Sequence, residues 1–138
     1  MGIKLKVLFE KLKIIPNSKG DIYHALRSDS PSFTQFGEAY FAHIKHGETK
    51  AWKLHKEGTC NLIVPEGDVK FVVVTPDLKF EEFIIGKNNY GRLTIPPNTW
   101  FGFHGVGTGT NIVLNILNIL HRSDESLTKD LFEFDYKW

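Results

Sequence analysis

The sequence predicts an all-β fold, a sandwich or a barrel; a small double-sheet jelly-roll barrel would enclose a core and still leave one mouth open. Three observations carry this. Short runs rich in Val, Ile, Phe and Thr recur at a spacing of roughly 8–12 residues. Turn-forming Gly, Pro, Asn and Asp separate them, as at His46-Gly47-Glu48, Pro65-Glu66-Gly67-Asp68 and Gly86-Lys87-Asn88-Asn89. No internal repeat and no linker interrupts the pattern, so residues 1–138 are expected to form one domain.

The strands are expected in this order. Ile3, Leu5, Val7, Phe9, Leu12, Ile14 and Ile15 give residues 3–15 one or two strands. Pro16 to Asp21 is a dense turn signal, and 22–26 reads as a short strand. A loop at 28–32 follows, anchored by Phe33 and Phe36. Strands are then expected at 39–43, 49–55 and 60–64, each closed by a glycine-containing turn. The Val/Phe run 69–75 is the strongest strand signal, because β-branched and aromatic side chains fit a pleated, buried surface. Strands at 80–85, 90–95 and 100–104 follow, then a loose loop at 105–110. Residues 111–120 are β-branched and short, which favours a strand over a helix. The tail carries one short helical turn at 125–131 and ends on Leu131, Phe132, Phe134, Tyr136 and Trp138.

Composition narrows the function classes. The chain is 41% hydrophobic and 24% charged, an ordinary globular balance. A formal net charge of +1 argues against nucleic acid or an anionic membrane as partner, so anion binding must arise from local clustering. No apolar run approaches the roughly 18 residues of a membrane span. The N-terminus lacks the apolar stretch and cleavage site of a secretory signal, so a cytoplasmic location is expected. Cys60 is the single cysteine, which excludes an intramolecular disulfide and a cysteine-based metal site.

The local cluster is Lys50-Ala51-Trp52-Lys53-Leu54-His55-Lys56. On a regular strand Ala51, Lys53 and His55 share one face, and Lys50, Trp52, Leu54 and Lys56 the other. Two readings are open. One is the lining of an anionic pocket, with His55 or Lys53 as general base. The other is a solvated edge strand, where lysines are common. The six histidines contain no His-x-His pair, and a site holding a metal needs about three converging ligands, so no metal is expected. Cys60 sits in an apolar segment, which favours an inert buried thiol over a nucleophile. Trp100, Phe101 and Phe103 either stack on a base or sugar or belong to the core.

Several segments occur in a recognisable order: Leu26-Arg27-Ser28-Asp29, Phe36-Gly37-Glu38-Ala39-Tyr40-Phe41, the Lys50–Lys56 cluster, Ile95-Pro96-Pro97-Asn98-Thr99-Trp100-Phe101-Gly102-Phe103 and Tyr136-Lys137-Trp138. Together they resemble cupins of the dTDP-4-dehydrorhamnose 3,5-epimerase-like family, especially its short polysaccharide-biosynthesis members. The nucleotide-sugar 3,4-ketoisomerases are a more distant likeness. The resemblance covers nearly the whole chain. It implies a cupin-type double-stranded β-helix, a homodimer, and a nucleotide sugar bound in the barrel mouth. It also implies proton transfer beside a keto group on a dTDP-type 4-keto-6-deoxy sugar, without metal or other cofactor, in surface polysaccharide or glycan biosynthesis.

Residue by residue, the resemblance places Lys53 where the epimerases have their base histidine. His55 falls where the ketoisomerases have a histidine. Asn115 falls at the epimerases' acid tyrosine, Phe101 at a pocket histidine, and Cys60 near a pocket lysine. Lys19 matches a phosphate-holding arginine, and Lys50 matches the arginine of the first barrel motif. The implied site is therefore His55 and Lys53 as catalytic groups, with Lys19, Lys50, Lys56, Cys60, Trp100, Phe101, Phe103 and Asn115 binding the substrate. The alternative is a non-catalytic cupin that binds sugar nucleotides or carbohydrate after losing the usual histidine and tyrosine.

Overall fold

The structure, a computed structural model, describes residues 6–138. Ile3 and Leu5 of the expected first strand lie outside the described residues. The strands are β1 (Leu8–Lys11), β2 (Ile14–Ile15), β3 (Ile22–Tyr23), β4 (Glu38–His43), β5 (Thr49–His55) and β6 (Cys60–Glu66). They continue with β7 (Asp68–Val74), β8 (Phe80–Gly86), β9 (Gly91–Ile95), β10 (Phe101–Gly105), β11 (Ile112–Leu117) and β12 (Ser126–Thr128). One sheet has the order β1-β9-β6-β11-β4, and the other β12-β5-β10-β7-β8. Strands β2 and β3 form a separate hairpin. From β4 to β7 the chain changes sheet at every strand, and it does so again from β9 to β12. This winding is the cupin jelly roll that the resemblance implies.

The core lies between the sheets. Leu62, Val64, Leu93 and Val113 from the first sheet meet Val69, Phe71, Val73 and Phe101 from the second. A second apolar cluster covers the outer face of the second sheet. There Trp52, Val72 and Val74 lie beneath Phe80, Trp100, Phe134, Tyr136 and Trp138. The aromatic tail is thus part of the fold. Alternation along β7 supplies both clusters, Phe71 and Val73 inward and Val72 and Val74 outward, which is why that run is apolar throughout.

Three local departures from the sequence expectation have physical causes. Strand β6 continues through Pro65 to Glu66, although proline cannot donate to the ladder. The register slips here, with Ile112 opposite Glu66 but Leu114 opposite Ile63, so the proline occupies a bulge. The expected helical turn at 125–131 is replaced by β12, which completes the free edge of β5 by pairing Leu127 with Leu54. The helical turn falls later, as a 3-10 turn at Leu131–Glu133. Phe36 is no anchor: it is 65% exposed, whereas Phe33 is half-buried. Among the described residues no helix is long and apolar enough to cross a membrane.

Candidate active site

A cavity of about 400 Å³ opens between the sheets. This is the small end of the range for ligand pockets. One wall comes from β5 and β10 of the second sheet, through Lys50, Lys53, His55, Phe101 and Phe103. The facing wall comes from β4, β6 and β11 of the first sheet, through Tyr40, Leu62, Val113 and Asn115.

The β5 wall depends on a bulge. Phe103 pairs with Lys50, Gly102 with Ala51, and Phe101 with Lys53, so Trp52 is an extra residue with no partner on β10. Its backbone pairs instead with Lys129, donating at 3.1 Å and accepting at 3.0 Å. Its indole donates to the Leu131 carbonyl at 3.1 Å on the outer face. The extra residue resets the alternation. Lys50 and Lys53, which a regular strand would put on opposite faces, both line the cavity together with His55. The backbones approach closely here, because a Cβ on Gly102 would lie 2.4 Å from the Ala51 Cβ.

His55 is 6% exposed, and its Nδ1 donates to Glu125 Oε1 at 2.7 Å. Glu125 is 3% exposed, and its Oε2 accepts from the backbone N–H groups of Gly58 (2.9 Å) and Glu57 (3.1 Å). Burial alone would raise the Glu125 carboxyl. The His55 ring and the two backbone donors outweigh it and hold the group below its ordinary value. An ionised, fully bonded carboxylate fixes the imidazole tautomer with Nδ1 protonated, which leaves Nε2 as the basic nitrogen for a ligand.

On the facing wall, Tyr40 and Asn115 are register partners across β4 and β11. Asn115 Nδ2 donates to the Tyr40 hydroxyl oxygen at 3.0 Å. Burial raises the phenol above its usual value, and the Asn115 donor offsets part of that rise. Among the described residues no carboxylate pairs with Lys53 or Lys50. Lys50 Nζ donates to the His43 carbonyl at 2.7 Å.

The structure therefore brings together six of the residues singled out in the sequence: Lys50, Lys53, His55, Phe101, Phe103 and Asn115. It does not bring in the other four. Lys19 sits in the exposed turn between β2 and β3, with its N–H bonded to Asn17 Oδ1. Lys56 is exposed beyond the end of β5. Cys60 is buried behind the wall, 3.7 Å from Asn115 Nδ2, and desolvation pushes its thiol up to about 12, so it is no nucleophile at neutral pH. Trp100 packs on Phe134 beneath the Lys129 ammonium, away from the cavity. Two groups that bear on the chemistry, Tyr40 and Glu125, were not among the residues singled out in the sequence. Tyr40 is one; it stands in the Phe36–Phe41 segment that carries the resemblance, but nothing in the pattern of 39–43 marks it. Glu125 is the other, and nothing near it in sequence marks it.

A carboxylate-oriented histidine, two ammonium groups and a phenol around one cavity suit the movement of a proton on a carbon beside a carbonyl. No model of a known protein family matches the chain. The crystal structure of a dTDP sugar isomerase from Desulfovibrio desulfuricans G20 superposes with a TM-score of 0.91 at 33% identity, covering 96% of this chain and 90% of that one. A probable low-salt glycan biosynthesis epimerase, Agl13 of Haloferax volcanii, is 25% identical over 113 residues, 75% of this chain and 72% of that protein. The sugar 3,4-ketoisomerase QdtA of Thermoanaerobacterium thermosaccharolyticum, solved in complex with TDP, shares the fold with a TM-score of 0.76 at 18% identity, covering 89% of this chain and 88% of that one.

Proposed function

Since the chain belongs to the family of dTDP-sugar isomerases with the RmlC-like cupin fold, we propose that it is an epimerase or isomerase of a dTDP-linked 4-keto-6-deoxy sugar in glycan biosynthesis. The observation that carries this reading is the buried His55–Glu125 pair on the cavity wall. His55 Nε2 takes the proton from a carbon next to the ketone. The C–H electron pair moves into the ring, and the carbonyl oxygen becomes an enolate. The Lys53 ammonium, with Lys50 beside it, stabilises that charge in a partly water-excluded site. Returning a proton to the same carbon from the other face, where Tyr40 stands, inverts the centre and regenerates the ketone. Returning it to the neighbouring carbon, with a proton passing between the two oxygens, shifts the ketone instead. No step requires a metal or a second cofactor.

A homodimer belongs to the same reading. The β2–β3 hairpin pairs with neither main sheet, and it leaves Ile15 and Ile22 exposed beside Lys19. A second copy covering that hairpin buries the two isoleucines and gives Lys19 a phosphate to bind in the neighbouring mouth.

The test is incubation with dTDP-4-keto-6-deoxyglucose in heavy water. Deuterium is expected at a carbon next to the ketone. Binding of the nucleotide sugar without any exchange would overturn the enzyme reading in favour of a non-catalytic binding cupin.

A further inference from the structure

The wall facing His55 holds a hydrogen-bonding atom with nothing bound to it. Asn115 is 4% exposed at the middle of β11 and lines the cavity. Its Nδ2 is engaged by the Tyr40 hydroxyl oxygen and lies near Cys60 Sγ. Its Oδ1 is buried and has no partner among the described residues. Buried carbonyl oxygens in folded proteins nearly always accept a bond, and leaving one bare costs stability. Cross-strand pairing with Tyr40 puts both side chains on the same face of the sheet. With Asn115 donating to the phenolic oxygen, the phenol's own hydrogen is left for the cavity.

We propose that Asn115 reads the sugar ring: its Nδ2 positions Tyr40, and its free Oδ1 accepts a hydrogen bond from one ring hydroxyl of the substrate. The inference deepens the nucleotide-sugar reading and rests on it. The donor is a neutral hydroxyl rather than the ammonium of an amino sugar, because Lys50 and Lys53 already make the cavity positive. Asn115 is in this account a positioning and specificity residue, while His55 moves the proton.

Substrate and protein are edited together in the test. Calorimetry measures binding of dTDP, of dTDP-4-keto-6-deoxyglucose and of its analogues lacking one ring hydroxyl, to the unmodified protein and to Asn115→Leu. One deoxy analogue is expected to bind the unmodified protein about tenfold more weakly than the parent sugar. That difference is expected to vanish in Asn115→Leu, with dTDP affinity unchanged. A deoxy penalty that persists in Asn115→Leu, or no penalty for any analogue, overturns the inference. Equal losses for dTDP and the keto sugar in Asn115→Leu overturn it too, by making the residue structural. Comparing analogues on the unmodified protein keeps the claim testable even if the variant folds poorly. Failure of the unmodified protein to bind dTDP at all is a separate result, and it overturns the nucleotide-sugar reading itself.

Discussion

His55 and Glu125 are separated by 70 positions in the sequence and by 2.7 Å in the fold. On the proposed mechanism the pair sets the activity, and its carboxylate sets the pH response of stability. His55→Asn removes the base and is expected to lower the exchange rate by about 10²- to 10⁴-fold, measured by deuterium incorporation. Glu125→Gln keeps the shape but loses the charge, so the imidazole is held less firmly. A smaller loss of exchange is expected, together with about 1–3 kcal/mol of stability at neutral pH. The sign of the pH dependence follows from the Glu125 carboxyl being held below its ordinary value of 4.5. Its contribution is fully present above that value and is lost as pH falls through the lower, folded value. Denaturant titrations of the two proteins should therefore differ by a constant amount at neutral pH and converge as the pH falls below 4.5 and through the lower, folded value. A gap that persists at low pH would assign the effect to packing instead. His55 itself was legible in the sequence, because a histidine among lysines on a strand stands out. Glu125 was not, since the second of two adjacent acidic residues, after Asp124, looks like any surface glutamate until β12 pairs with β5.

At the scale of elements, the β5 bulge organises the wall. The alternation rule puts Lys50 and Lys53 on opposite faces, and the extra residue at Trp52 puts them on one. Two features maintain it. Trp52 is buried on the outer face against Phe134, Tyr136 and Trp138, and Gly102 leaves room for Ala51. Gly102→Ala is expected to push β10 from β5, costing about 1–3 kcal/mol and lowering the exchange rate. Adding Ala51→Gly removes the 2.4 Å contact and leaves only backbone contacts at 3.1 Å, so the double variant should recover part of both losses. Melting temperatures and exchange rates of the four proteins check this, and strictly additive losses would mean that the two sites do not share the contact. The tail's part in this element was only half visible in the sequence. Its apolar spacing was plain, but that it covers Trp52 is a matter of tertiary packing.

For the whole molecule, the prediction is assembly. Sedimentation should give twice the chain mass of 15.8 kDa. Lys19→Glu should then leave that mass unchanged while weakening dTDP binding, since Lys19 lies in an exposed turn outside its own chain's cavity. A monomer that binds dTDP normally would remove the partner's role from the site. What the sequence determined alone is the all-β class and the succession of strands along the chain. Period-two apolar runs, β-branched composition and turn residues at regular spacing specify local conformation and burial, so the strand order and the β-class follow from neighbours in the chain. Its ordered motifs likewise pointed to the family, and the first barrel motif to His55. The tertiary structure alone decided which residues meet. The bulge reversed a face, β12 delivered Glu125 to His55, and β4 set Tyr40 opposite its register partner Asn115. Those contacts depend on the register and closure of strands far apart in sequence. Local pattern carries no information on either, because a shift of one residue moves every side chain to the other face.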